Sequence, residues 1–194
     1  MNTILKKLHN KTPKELVTEF GISVKPPVDL VSLLEAIGIS TISFDFSKVD
    51  EMEGNESKSI VGVSMQVAGY LTILYSKDES VPRKRFILAH ELGHLCRGKG
   101  MQQFDLGSIH VQYETQPLHT ELDENALREE HEANLFAEEL LIPEEYLRKY
   151  YNGDTVPPLT LLAEIFAVPD SVMADRLDNL HLPYFKDCDT EPIV

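Results

Sequence analysis

Cysteine is scarce in this chain: Cys96 and Cys188 are the only two among 194 residues. Two are too few for a disulfide framework, so a reducing cytoplasm is the expected compartment. Basic side chains are short too, 18 Lys and Arg against 32 Asp and Glu, for a formal charge of −14 at pH 7. Such a surface repels nucleic acid and anionic membrane, so direct DNA binding is not expected, while a basic partner suits it. No apolar run is long enough to span a bilayer, and the opening MNTILKKLHN lacks the apolar core of a signal peptide. What remains is an ordinary globular composition, with length for one domain or one domain and a small appendage.

Against that background one stretch stands out, Arg85 to Arg97, which reads RFILAHELGHLCR. Residues four apart on a helix sit almost above one another, so His90 and His94 can present two imidazole nitrogens to one point. Glu91, roughly 100° round the helix, sits on the shoulder of that face, where it can take a proton from an attacking water instead of binding a metal. Leu88, Leu92 and Leu95 cluster on the opposite face, and Phe86 and Ile87 flank the histidines, so this helix should be buried. Two histidines and a glutamate buried together carry a desolvation cost, which a cation relieves by taking the imidazole lone pairs. Cys96, two positions beyond His94, points roughly 200° away and reads as a small buried residue.

The segments before this helix have legible ends. Thr12-Pro13-Lys14-Glu15 carries a cap, a proline at the first helical position and a returning glutamate, and Gly21 stops that helix. A second helix is expected from about Val28 to Ile37, ahead of Gly38, then a strand from Ser40 to Phe46 and a polar loop from Asp50 to Ser59. Ile60 to Gln66 and Tyr70 to Ser76 read as a hairpin, with one edge available to an extended peptide. A short strand at Ile109 to Tyr113 and a loop at Gln116 to Asp123 follow.

Two histidines leave zinc under-coordinated, and the next strong helix, Glu124 to Leu141, has to complete the set. Helical phase separates its glutamates. Ala126, Leu127, Ala133, Asn134, Ala137 and Leu141 all fall within about 60° of Glu130, which therefore sits in the apolar stripe. Glu132 projects to the solvent side and Glu129 lies near the stripe's edge. A carboxylate centred on a buried face needs a cation, and Asn134, one turn on, shares the face and can hydrogen-bond a ligand histidine.

RFILAHELGH followed by the E-x-x-A-N-x-F-A-x-x-L-L-x-P pattern of Glu130 to Pro143 resembles the ImmA/IrrE family of metallopeptidases. The Pro-Pro-Val-Asp-Leu at Pro26 to Leu30 and the tail from Leu159 to Leu180 are similar to it as well. The resemblance implies a gluzincin-like zinc site with His90, His94 and Glu130 as ligands and Glu91 as general base. It also implies an α+β fold: a mainly helical zincin-like core, 1–153, with a small sheet beside the HExxH helix, and a C-terminal helical unit and tail, 154–194. Family members cleave helix-turn-helix repressors, releasing genes of mobile elements or stress responses. With no DNA-binding domain evident in this chain, the expected substrate is a separate repressor protein. The tail has a helix-turn-helix outline, but Glu164, Asp170, Asp175 and Asp178 make it a poor phosphate surface, so packing or repressor docking is expected there.

The chemistry these readings support is metal-assisted peptide hydrolysis. His110, Tyr113 and His119, between the two helices, are the candidates to stabilise the transition state, and the sequence does not choose among them. Two histidines and one carboxylate suit zinc and also accommodate manganese or iron. The competing class is a non-catalytic zinc-containing module that sequesters a repressor without cutting it.

Overall fold

The computed structural model describes residues 3–46, 60–67, 70–98, 102–104, 107–113, 124–151 and 156–185. Helix α1, Thr3–Leu8, opens the chain, followed by α2, Pro13–Glu19. The Thr12 side chain accepts from the Glu15 amide while the Glu15 carboxylate accepts from the Thr12 amide, so α2 starts on a full capping box. Helix α3, Leu30–Ile37, is capped by Asp29 and ends at Gly38. Its start is two residues later than apolar periodicity suggests, because the Asp29 carboxylate takes the Ser32 amide.

Strands β1, Ile39–Phe44, β2, Ile60–Val67, and β3, Tyr70–Ser76, come next. Helix α4, Val81–Arg97, leads to β4, Gln102–Phe104, and β5, Gly107–Tyr113. The long α5, Glu124–Leu141, the short α6, Glu144–Leu147, and a 3-10 turn at Arg148–Tyr150 precede α7, Leu159–Phe166, and α8, Asp170–Asn179. The loops expected at 50–59 and 116–123 lie outside the described residues, as does His119.

The strands form one mixed sheet in the order β1-β3-β2-β5-β4. β1 runs parallel to β3, and the pairs β2–β3, β2–β5 and β4–β5 are antiparallel. This corrects the hairpin reading: both of its edges are already paired, β3 by β1 and β2 by β5, so neither can take a peptide. Among the described residues the unpaired edges of the sheet belong to β1 and β4.

Helix α4 is the axis of the molecule. Eleven consecutive residues from Phe86 to Cys96 are buried. β2, β3, α1, α3 and α5 all pack on it, so every face of the helix meets a neighbour. One apolar cluster joins Leu8 of α1, Leu33 of α3, Ile73 of β3, Leu92 of α4, Leu140 of α5, Phe166 of α7 and Leu177 of α8. The C-terminal helices therefore share one core with α4 and α5. Arg85 adds a polar tie: Nε donates to Ala167 O at 3.1 Å and Nη2 to Val28 O at 2.9 Å. That one guanidinium links the end of α7 and the segment ahead of α3 to the first turns of α4. The fold is α+β and zincin-like, with a sheet larger than the hairpin legible in sequence.

Candidate metal centre

Ser80 caps α4, its hydroxyl accepting from the Arg83 amide, and Pro82 falls in the first turn. The helix then runs unbroken to Gly98, whose φ of 66° ends it in the left-handed region that glycine tolerates. Regular geometry over this span brings His90 and His94 together: their Nε2 atoms are 2.9 Å apart and their ring centroids 4.6 Å. Across the interface, α5 supplies Glu130. Its Oε2 is 3.2 Å from His90 Nε2, and its Oε1 is 3.3 Å from His94 Nε2.

One ligand atom from each of His90, His94 and Glu130 lies within 4.8 Å of the others, which makes the three a group able to hold a metal ion. The donor set fits a cation. Nitrogen ligands about 2.0–2.1 Å from a tetrahedral zinc stand roughly 3.3 Å apart. The 2.9 Å between the Nε2 atoms, and the 3.2 and 3.3 Å from them to the two separate oxygens of Glu130, lie within a few tenths of an ångström of that spacing. Were both Nε2 atoms to carry lone pairs, the two imidazoles would repel one another, and a cation between them would remove that conflict.

Asn134 is the fourth residue the structure brings here. His90 Nδ1 donates to Asn134 Oδ1 at 2.7 Å, which places a ring proton on Nδ1 and turns Nε2 toward Glu130. Glu91 is fully buried, next to His90 on α4.

Burial is uneven across the group. The histidine side chains are 1 % and 3 % exposed, whereas Glu130 is 39 % exposed. Glu130 was expected within a buried stripe; instead the stripe surfaces at the N-terminal half of α5, where Leu127 is 40 % exposed, and closes over from Ala133 onward. The site is therefore open on its α5 side. Glu132 faces away to arginines, with Oε1 3.0 Å from Arg128 Nε and Oε2 3.8 Å from Arg97 Nε. His110 and Tyr113 sit on β5, their backbones paired with Ser64 and Ile60 of β2.

Two contacts near the centre are not visible in sequence periodicity. Gly93 lets α5 approach so closely that a Cβ there would be 3.2 Å from the Cα and O of Ala133 and from the Cβ of Phe136. Lower on α5, Glu138 is a buried carboxylate accepting from Asn179 Nδ2 of α8 at 2.9 Å. Burial raises its pKa above the usual carboxylate range, against the weaker pull of that hydrogen bond and of Arg176. Cys96, buried in the core, has its thiol pushed up to about 12 by desolvation.

A histidine pair on one helix, a carboxylate from a second and a sheet packed beside the first are the parts of a metallopeptidase. The family described as the IrrE N-terminal-like domain, Peptidase_M78, matches residues 35–178, and the chain belongs to it. That span includes both metal-site helices and runs into α8. No curated protein matches the chain.

Proposed function

We propose that this protein is a zinc-dependent endopeptidase that cleaves a helix-turn-helix transcriptional repressor, acting in the cytoplasm and relieving repression of mobile-element or stress-response genes. The observation that carries the hydrolytic reading is the count of donors at an open site. His90, His94 and Glu130 make a group of three among the described residues, and three protein ligands with solvent access on one side is the pattern of catalytic zinc, whereas structural zinc is closed by four.

A divalent cation bound there would supply Lewis acidity to a peptide carbonyl and make a water acidic enough to attack near neutral pH. The remaining work falls to side chains. Glu91 takes the proton from the attacking water and delivers it to the departing amine, which needs a carboxylate next to the ligands but not among them. Asn134 fixes the tautomer of His90. His110 or Tyr113 on β5, or His119, would steady the developing negative charge on the carbonyl oxygen.

The substrate class rests on membership of the family and on charge. A surface at −14 discourages DNA but attracts a basic DNA-binding protein. Cleavage is expected in a linker, since a protease cleft needs an extended strand and folded domains rarely offer one. The test is incubation of the zinc-loaded protein with the repressor encoded nearest to it, beside Glu91→Gln and chelator controls. Discrete fragments from the wild type alone are expected. Tight binding with no cleavage under any metal tried would replace this reading by a repressor-sequestering module.

A further inference from the structure

We propose that Gly93 sets the aperture of the metal centre, by fixing how closely α5 can approach α4, and that it thereby selects for a cation of zinc's size. The inference rests on the reading of His90, His94 and Glu130 as metal ligands.

Both helices carry the same local pattern. On α4, His90 is followed three residues later by Gly93 and four later by His94; on α5, Glu130 is followed by Ala133 and then Asn134. Positions three and four beyond a residue share its face. The two small residues therefore meet where the two ligand-bearing faces meet, with ligating and hydrogen-bonding groups on either side of the contact.

The contact is already tight. A Cβ on Gly93 would meet Ala133 Cα, Ala133 O and Phe136 Cβ, each at 3.2 Å, against 3.4–4 Å for ordinary van der Waals contact. Two of those atoms are backbone, so no rotamer change clears the space. The helices must part by a few tenths of an ångström. Every bond across the interface then lengthens together: Glu130 to both histidines, and Asn134 to His90 Nδ1. Ligand distances in a metal site are expected within about 0.2 Å of their standard values, so a displacement of a few tenths of an ångström is large enough to count. Gly93 lies within the helix at an ordinary helical φ, where alanine is intrinsically the better residue. Its reason for being glycine lies outside its own backbone.

The test measures zinc and cadmium affinities of the wild type and Gly93→Ala by competition with a chromophoric chelator. Cadmium is the larger ion and accepts the same donors. Gly93→Ala is expected to weaken zinc about tenfold or more, on the scale of lost outer-shell support, while cadmium falls much less, so the zinc-to-cadmium ratio drops. Gly93→Ser adds a further atom at the same contact, and should move the ratio in the same direction. Unchanged affinities for both ions, or an equal loss of both, would overturn the proposal. A wild type that binds neither cation would instead overturn the metal-site reading beneath it.

Discussion

His90 Nδ1 and Asn134 Oδ1 meet at 2.7 Å across the packed faces of α4 and α5. The amide oxygen accepts, so the imidazole keeps its proton on the side away from Glu130. Asn134→Leu removes the acceptor and lets the ring change tautomer or turn. Zinc affinity should fall about 10- to 100-fold with the helical circular dichroism unchanged. Zinc binding at wild-type strength would show that the orientation of His90 is held by packing alone.

Metal content discriminates among the glutamates of α5. Glu130→Ala should abolish stoichiometric zinc, as should His90→Ala, because two protein ligands hold zinc weakly. Glu132→Ala should leave it intact, since that carboxylate serves Arg128 and Arg97. Glu91→Gln should also retain the metal while losing hydrolysis. Elemental analysis after gel filtration measures all four, and zinc lost from Glu132→Ala but kept by Glu130→Ala would reassign the third ligand.

Arg85→Met tests the tie between α4 and its two flanking segments. It removes charge-assisted bonds to Ala167 O and Val28 O, each worth about 1.5–3 kcal/mol. Partial solvation of the freed carbonyls offsets some of this. A loss of roughly 2–4 kcal/mol is expected from urea unfolding at constant m-value. A loss under about 1 kcal/mol would show that the helices pack in place without it.

Glu138 gives a pH dependence with a definite sign. Its folded pKa is raised, so its contribution to stability is fully present below the unfolded pKa, where both states hold the proton, and is lost as pH rises through the folded pKa. Glu138→Gln mimics the protonated form and can still accept from Asn179. The variant's stability relative to wild type should therefore climb as pH rises above the ordinary carboxylate range. Paired denaturation curves across that range check this. A relative stability that falls with pH would mean that attraction to Arg176 outweighs desolvation at this site.

Local chemistry made much of this molecule readable. The capping box at Thr12, the spacing of His90 and His94, the limits of α5 and the phase of Glu130 all follow from residues within one or two turns of each other. What could not be read depends on partners far along the chain. β1 pairs with β3 in parallel and β5 closes the other side of the hairpin, and no local period specifies which strand lies next to which. Glu138 is buried because α8 brings Asn179 and Arg176 over it from some forty residues away, while Leu127, apolar and in phase, has little to pack against. Helix α1 is a single short segment, too brief for periodicity to separate from a loop. Gly93 reads as an ordinary spacer until the second helix is in place.

The buried thiol of Cys96 lies two residues from the imidazole of His94, yet it is held in the apolar core with its pKa pushed up to about 12. It is almost entirely protonated at physiological pH, and the thiolate is the form that oxidants and alkylating agents attack. The centre itself is assembled from nitrogen and oxygen donors. Peroxide or disulfide stress that strips zinc from cysteine-ligated sites would find no sulfur to attack among His90, His94 and Glu130, so a cation held by these three would outlast one held by thiolates.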